Sequence, residues 1–544
     1  MTCKYFPSTT LKGSLVFLLI VAILSLLNGC EENKGPVDPK PDTKPITDKS
    51  LVFNDLAKLA TPFSFSRTMD QIVATAGGTA TNSASMLQSI IDSFAQTAFV
   101  HPVSGKNIAV KARPGESSII SNDLLNPDSP DGMIPVGLFN RFDLAPADGS
   151  NCGEYRIVYT KKSSGPTDRL TMIFEARIPN PDPGKGLAGC AAITDFWAQR
   201  SSDTDTTQTV AELEKFYYQG IPGVAPVIKA ENYGMPLGQL RVNLFKTPDP
   251  QEIRWSLREF LVNFDQNGQA IFKPEAVDDS PMAFLFRAAA ELPDGFDEMD
   301  QHDFRNSFLG QPLCNLVNPD RINSNASVAD IINGISAGFD SRFNDFESIS
   351  QGDEDNPADR IDQLLLDQVQ SRLAALTGLT GVSSIQLMNR AGTMTCGGCH
   401  QFSAGKDLGS GATWPDSLRF VHIDETGKLS PLLTDVFIPK RIQIAQQFKE
   451  NRDPFQQEAA ECPGVIPAAK SVASPLAKKA REHEVYKNVD ATRDQIQEIV
   501  QAPGTQAEKS EKLQAILPTL EEATNQARKL ESGMRGAYTP ARTH

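Results

Sequence analysis

Tyr155-Arg156-Ile157-Val158-Tyr159 and Leu170-Thr171-Met172-Ile173-Phe174-Glu175-Ala176 flank the turn signal Ser163-Ser164-Gly165-Pro166, and this pair decides the fold class. The first run alternates with period two, so it and the second run are expected to be strands, with a turn between them. Working outward, Met133-Ile134-Pro135-Val136-Gly137-Leu138-Phe139 reads as a strand on one side. On the other side, strands are expected at residues 238–244, 253–264 and 270–272, the last two joined by Asn267-Gly268. Ahead of the strands, Ile72, Val73, Leu87, Ile90, Ile91 and Phe94 recur at helical spacing around the break at Gly77-Gly78, which predicts two helices. Residues 191–218 read as helix. No 20- to 50-residue period recurs, so a solenoid or propeller is not expected.

After Pro281 the strand signals stop. Helices are expected at residues 281–292, 328–335, 384–390 and 430–450. A firmer one covers 359–376, with Ile361, Leu365, Val369, Leu373 and Leu376 on one face. Residues 466–532, rich in Ala, Lys, Glu and Gln, read as two helices split at Pro503-Gly504 and lying on the body as a hairpin.

Within the helical stretch stands Cys396-Gly397-Gly398-Cys399-His400, the C-x-x-C-H pattern of covalent c-type haem attachment. Two thiols add across the haem vinyl groups, and the adjacent imidazole supplies the proximal iron ligand. One covalent haem c is therefore expected on Cys396, Cys399 and His400. No methionine occurs between 395 and 533 to close the sixth position, so His422 is the preferred distal candidate. Its competing reading is a core histidine bonded to a backbone carbonyl. Trp414 and Phe402 are candidate walls for the porphyrin. The lesser alternatives are a Cys396–Cys399 disulfide and zinc on Cys396, Cys399, His400 and His422, the latter weakened because closed zinc sites favour a second cysteine pair.

The N-terminus points to export. Lys4 and Lys12 precede an apolar run from 14 to 27, shorter than the roughly 20 residues of a membrane span. The run ends in Leu27-Asn28-Gly29-Cys30, similar to the lipobox of bacterial lipoproteins, which implies acylation of Cys30 and a membrane attachment through lipid. Glu31 follows it, which by the same resemblance favours the outer membrane; the expected location is the cell envelope. Four prolines and two aliphatic residues between 31 and 49 describe an extended tether.

Eight cysteines in an exported chain leave Cys152, Cys190, Cys314 and Cys462 after the signal, the lipid site and the haem pair. Two disulfides are expected, with Cys152–Cys190 favoured because both flank one strand-rich stretch, leaving Cys314–Cys462. The rival is four free thiols. A net charge of −15 argues against nucleic acid and would suit a basic redox partner, though acidity for solubility alone is commoner. Hydrolase and nucleotide-binding signatures (G-x-S-x-G, H-E-x-x-H, the P-loop) are absent. Asp143, Asp148 and Glu154 supply hard oxygens, but ion pairs with Arg141 and Arg156 explain these acids better than calcium.

The stretch from Phe139-Asn140-Arg141-Phe142-Asp143 to Tyr159 resembles a family of exported bacterial proteins, some of which carry a C-terminal C-x-x-C-H. The resemblance continues through Phe174-Glu175, Gly189-Cys190, Phe196-Trp197 and Arg254-Trp255-x-Leu257-Arg258-Glu259-Phe260. It implies an exported haem lipoprotein and no particular activity.

The expected fold class is thus α+β: a strand-rich N-terminal region, then a mainly helical C-terminal haem region and a helical tail. The expected division is signal peptide 1–29, tether 30–65, α+β domain 66–280, cytochrome c-like domain 281–462 and tail 463–544. The expected function is electron transfer or haem-based redox chemistry at the envelope. The alternative is a cell-surface binding or assembly lipoprotein whose C-x-x-C-H is structural or carries no haem. A peroxidase-like enzyme is a third reading, weakened by the single attachment motif.

Overall fold

The computed structural model describes residues 44–77, 82–101, 105–110, 120–146, 148–165, 168–234, 237–246, 255–277, 282–288, 292, 297–317, 347–350, 358–376, 382–409 and 411–451, with isolated positions between 495 and 519. The expected signal peptide, Cys30, the helix at 328–335 and the Cys314–Cys462 pairing lie outside the described residues, wholly or through one partner.

The alternating segments form one antiparallel sheet. Its strands are β1 (Val52–Phe53), β2 (Met133–Arg141), β3 (Asn151–Lys161), β4 (Asp168–Pro179), β5 (Gln239–Lys246), β6 (Trp255–Phe264), β7 (Ala270–Glu275) and β8 (Ser348–Ser350). They run in the order β1-β2-β3-β4-β5-β6, after which β6 pairs with β8 at its start and β7 at its end. Register places Arg156 opposite Glu175 and Val158 opposite Ile173. Because side chains alternate across a strand, this pairing sorts the sheet into two faces.

The first face carries Tyr155, Ile157, Tyr159, Met172, Phe174, Leu240 and Val242, all buried. Four helices cover it: α1 (Phe65–Ala76), α2 (Ser83–Ser93), α3 (Ala191–Gln199) and α4 (Thr206–Tyr218). α1 starts at Ser64, whose side chain accepts from the Arg67 amide, and stops at Gly77 in the left-handed conformation (φ 72°). α2 begins with a capping box between Asn82 and Ser85. The stretch read as one helix, 191–218, is two, with Asp205 capping the second. Each fully buried Leu, Ile or Phe in this layer contributes about 1.5–3 kcal/mol of transfer free energy. A disulfide joins Cys152 on β3 to Cys190 ahead of α3, as the spacing suggested. Cys314 is disulfide-bonded as well.

The second face is also covered. The helices there are α5 (Glu298–Phe308), α6 (Gln311–Val317), α7 (Gln363–Ala375), α8 (Ser384–Gly392) and α9 (Ile438–Asn451). Phe139 and Val158 of the sheet share one apolar cluster with Phe304, Leu313, Leu365, Val369, Leu387 and Leu433. The boundary expected near residue 280 therefore separates two element types whose described residues share one apolar cluster.

One expectation is corrected at the N-terminal side. Residues 46–65, assigned to the tether, are packed: Leu51, Leu59 and Phe63 are buried, and Val52-Phe53 pairs with Phe139-Leu138. The apolar residues of 51–63 outweigh the proline signal that precedes them, because a free edge of β2 gives them a surface.

Candidate functional site

The C-x-x-C-H segment enters on α8, whose start is fixed by a capping box between Ser383 and Gln386 and whose buried side holds Leu387, Met388 and Ala391. Thr395 then bridges the turn: its Oγ1 donates to the Gly392 carbonyl and accepts from the Gly398 amide, at 2.9 Å each. Residues Gly398–Phe402 are wound as a π-turn, a feature frequent at functional sites. The turn is tight at one glycine. A Cβ on Gly398 would lie 1.9 Å from the Gly392 carbonyl oxygen, whereas at Gly397 it would make ordinary contacts with Phe402 at 3.5 Å and Trp255 at 3.9 Å.

This winding buries all three motif residues: Cys396 is 1%, Cys399 3% and His400 2% exposed. Neither cysteine is in a disulfide. His400 Nδ1 lies 2.9 Å from the Phe420 carbonyl oxygen. A carbonyl only accepts, so Nδ1 carries the proton and Nε2 keeps its lone pair. Burial pushes the imidazole down to about 4, helped by Arg241, so His400 is neutral at pH 7.

Phe420 presents that carbonyl from a strained turn. Arg419 (φ 55°) and Phe420 (φ 63°) are both left-handed without being glycine. Asn243 of β5 donates to the same Phe420 carbonyl, and Arg169 of β4 donates to the carbonyls of Leu418 and Arg419. The Phe420 ring stacks on Trp255 and Phe245 at 5.4 and 5.2 Å between centroids. Trp255 in turn lies 5.4 Å from the His400 ring. Of the aromatic walls expected, Phe402 packs edge-on to Phe420, while Trp414 sits in the apolar cluster beside Phe437. Sequence reading does not single out Trp255, Phe420 and Asn243 as site residues; the one signal is Trp255 within the Arg254-Trp255-x-Leu257-Arg258-Glu259 segment.

His422 reaches the same place. Its Nε2 is 3.8 Å from Cys399 Sγ, its Nδ1 3.2 Å from Ser430 Oγ, and its ring centre 4.8 Å from that of His400, with 33° between the planes. Burial, then the neighbouring His400, drives its pKa well below the usual value. Two imidazoles coaxial on one metal, each bonded at about 2 Å, would stand about 6 Å apart centre to centre. The observed ring centres are closer than that.

Below the histidines the sheet carries a row of buried charge. Arg141 pairs with Asp143 (2.9 Å), Arg156 with Glu154 (2.7 Å) and Glu175 (3.2 Å), Arg177 with Glu154 (3.2 Å), and Arg241 with Glu259 (2.7 Å) and Glu175 (3.4 Å). Burial alone would raise the Glu154 carboxyl, but Arg156, Arg177 and Arg141 bring it down to about 2. The expected ion pairs of Arg141 and Arg156 are thus present. Asp143 and Glu154 face guanidinium groups, and Asp148 caps a turn at the Ser150 amide. Among the described residues no group of three or more His, Cys, Asp or Glu is placed to hold a metal ion. His101 lies in a separate small hairpin and His302 is exposed.

Between this charged row and the histidines lies a cavity of about 50 Å³, lined by Arg141, Arg156, Arg441, Asn243, His400 and His422 among others. For a haem, the donor chemistry fits: two thiols one helical turn apart beside a neutral imidazole whose Nε2 lone pair is set by its own hydrogen bond. The cavity does not supply the space, since pockets for drug-sized ligands run to roughly 300–1,000 Å³. No known protein family, curated protein or solved structure matches the chain.

Proposed function

We propose that this chain is a c-type haem protein of the cell envelope, lipid-anchored through Cys30, acting in electron transfer or haem-based redox chemistry with a protein redox partner. The observation that carries the reading is the His400 tautomer: a buried neutral imidazole locked by Phe420 beside two thiols at haem-attachment spacing. Cys396 and Cys399 would hold the haem and His400 its iron; the bound group would supply one-electron chemistry. With the thiols 1% and 3% exposed, attachment precedes closure of the helical layer on the sheet. The residues of the chain then orient His400, through Phe420, Asn243 and Arg169, and exclude water from it with Trp255 and Phe420. A cytochrome c-like arrangement of 281–462 belongs to this proposal.

The tight packing favours a second reading, a surface binding or assembly lipoprotein without haem. One experiment separates them. The full chain is produced in a host with working export and haem attachment, then denatured and extracted with acid-acetone. Haem that stays with the protein supports the first reading; a colourless protein defeats it and supports the second. His400→Ala is expected to lower haem incorporation. In loaded protein, a change from low to high spin in His422→Ala assigns His422 as sixth ligand, and an unchanged spectrum removes it from that role. Mass spectrometry of the mature N-terminus tests acylation of Cys30.

A further inference from the structure

The cavity under the histidines has an electrostatic peculiarity: three guanidinium groups line it and no carboxylate does. Arg141 and Arg156 are satisfied by Asp143 and Glu154 at 2.9 and 2.7 Å. Arg441, brought in by α9, is not. It is 4% exposed, its carboxylate contact among the described residues is Asp143 at 3.7 Å from Nε, and its Nη2 has no hydrogen-bond partner. Its guanidinium lies 5.1 Å from the centre of the Phe437 ring, which offers a cation a favourable face but no acceptor. A buried charged donor left unsatisfied is among the costliest polar defects in a fold. Burial, with Arg141 and Arg156 nearby, disfavours the charged form of Arg441 strongly. A guanidinium does not relieve this by losing its proton, so the remedy is a counter-charge.

We propose that the cavity is a binding site for one small monovalent anion, of halide or formate size, held by Arg441 Nη2 between the sheet and the C-x-x-C-H turn. The volume selects the class. About 50 Å³ takes a few waters or one small ion. Phosphate, nucleotides and larger carboxylates are excluded by size. The walls supply the selectivity: Phe139, Val158, Ile173 and Leu433 are apolar, so the ion is stripped of most of its water and its charge is met by the arginines. The proposal does not depend on haem, because every group it uses belongs to the chain as described.

Sodium bromide is titrated calorimetrically into the purified full-length mature chain in a gluconate buffer of constant ionic strength. The expected result is saturable one-to-one binding, displaced by formate and weakened about tenfold or more in Arg441→Met, the loss of a charge-assisted hydrogen bond. Arg441→Lys retains the charge on a different geometry and is expected to bind bromide more weakly than wild type, which keeps the test decisive if the methionine variant does not fold. No saturable binding, or binding of equal strength in wild type and both variants, overturns the proposal and leaves the cavity to water.

Discussion

Asn243 and His400 donate to one acceptor, the carbonyl oxygen of Phe420, at 3.0 and 2.9 Å. This shared bond ties the centre of the sheet to the C-x-x-C-H turn, through a residue whose own backbone is left-handed. Such conformations cost about 1–3 kcal/mol each and persist only where surrounding contacts over-determine them. Here Arg169, Asn243, His400 and the Trp255–Phe420–Phe245 stack do so.

Asn243→Leu keeps the volume of the side chain and removes the donor. It is expected to destabilise the protein by about 1–3 kcal/mol, since a buried polar partner is lost. Urea unfolding of the variant, read as a lower midpoint at unchanged slope, checks this.

The two motif glycines are expected to differ. Gly398→Ala drives a methyl into the Gly392 carbonyl and should cost about 1–3 kcal/mol, the usual range for overpacking. Gly397 has helical dihedrals (φ −62°, ψ −38°) and only ordinary contacts, so Gly397→Ala should be neutral or stabilising by up to about 1 kcal/mol. Thermal midpoints of both variants compared in parallel would contradict the packing described if the order were reversed.

The charged row under the cavity is expected to behave as buried pairs do. Glu175→Ala leaves Arg156 and Arg241 short of a counter-charge and should cost about 3–5 kcal/mol. Lys185→Ala, which breaks the exposed pair with Asp182, should stay within about 0.5 kcal/mol. Equal effects of the two substitutions in a denaturant series would count against burial as the cause.

Acid should unfold the haem-free chain through its histidines first. His400 titrates at about 4 when folded and near 6.5 when unfolded, so below 6.5 the unfolded state binds the extra proton. The stability due to the neutral ring is complete above pH 6.5 and is lost as the pH falls from there to about 4, by about 1.4 kcal/mol per pH unit for this one group. His422 is depressed in the same direction and steepens the loss. Glu154, brought down to about 2, adds its own loss only below the ordinary glutamate value of 4.5. Unfolding free energies measured at pH 7, 6, 5 and 4.5 test the order, and a flat profile above pH 5 would refute the neutral-histidine assignment.

Removing the Cys152–Cys190 link by double substitution to serine should cost about 3–4 kcal/mol, as the chain-entropy relation gives for a separation of 38 residues. Reduction of the wild-type protein should lower its unfolding midpoint in the same direction.

Much of the fold is legible from local pattern. Period-two alternation in Tyr155–Tyr159 states which side chains share a face, and this holds wherever the strand is placed. Gly77 ends α1 because the stop requires a left-handed residue, a property of the residue itself. The Cys152–Cys190 pair was the favoured one because both cysteines flank one strand-rich stretch, and the donor types of Cys396, Cys399 and His400 are read directly from the sequence. Where local pattern misled, a long-range partner was responsible: Leu51, Val52 and Phe53 left the tether because β2 offered them an edge.

What covers the second face of the sheet is a different matter. Alternation puts Arg156 and Val158 together but does not say whether they meet water or α5–α9, which come more than a hundred residues later. The site therefore draws Asn243 and Trp255 from the sheet, Phe420 and His422 from a loop, and Arg441 from α9, none of them near His400 by any sequence period. Sequence determined each segment's local conformation and the donor chemistry of its own residues, because those depend on neighbours along the chain. Only the tertiary structure decided which charges are buried, which carbonyl fixes the His400 tautomer and which arginine keeps a buried Nη2 without a hydrogen-bond partner among the described residues, because burial and hydrogen bonding depend on what packs across space.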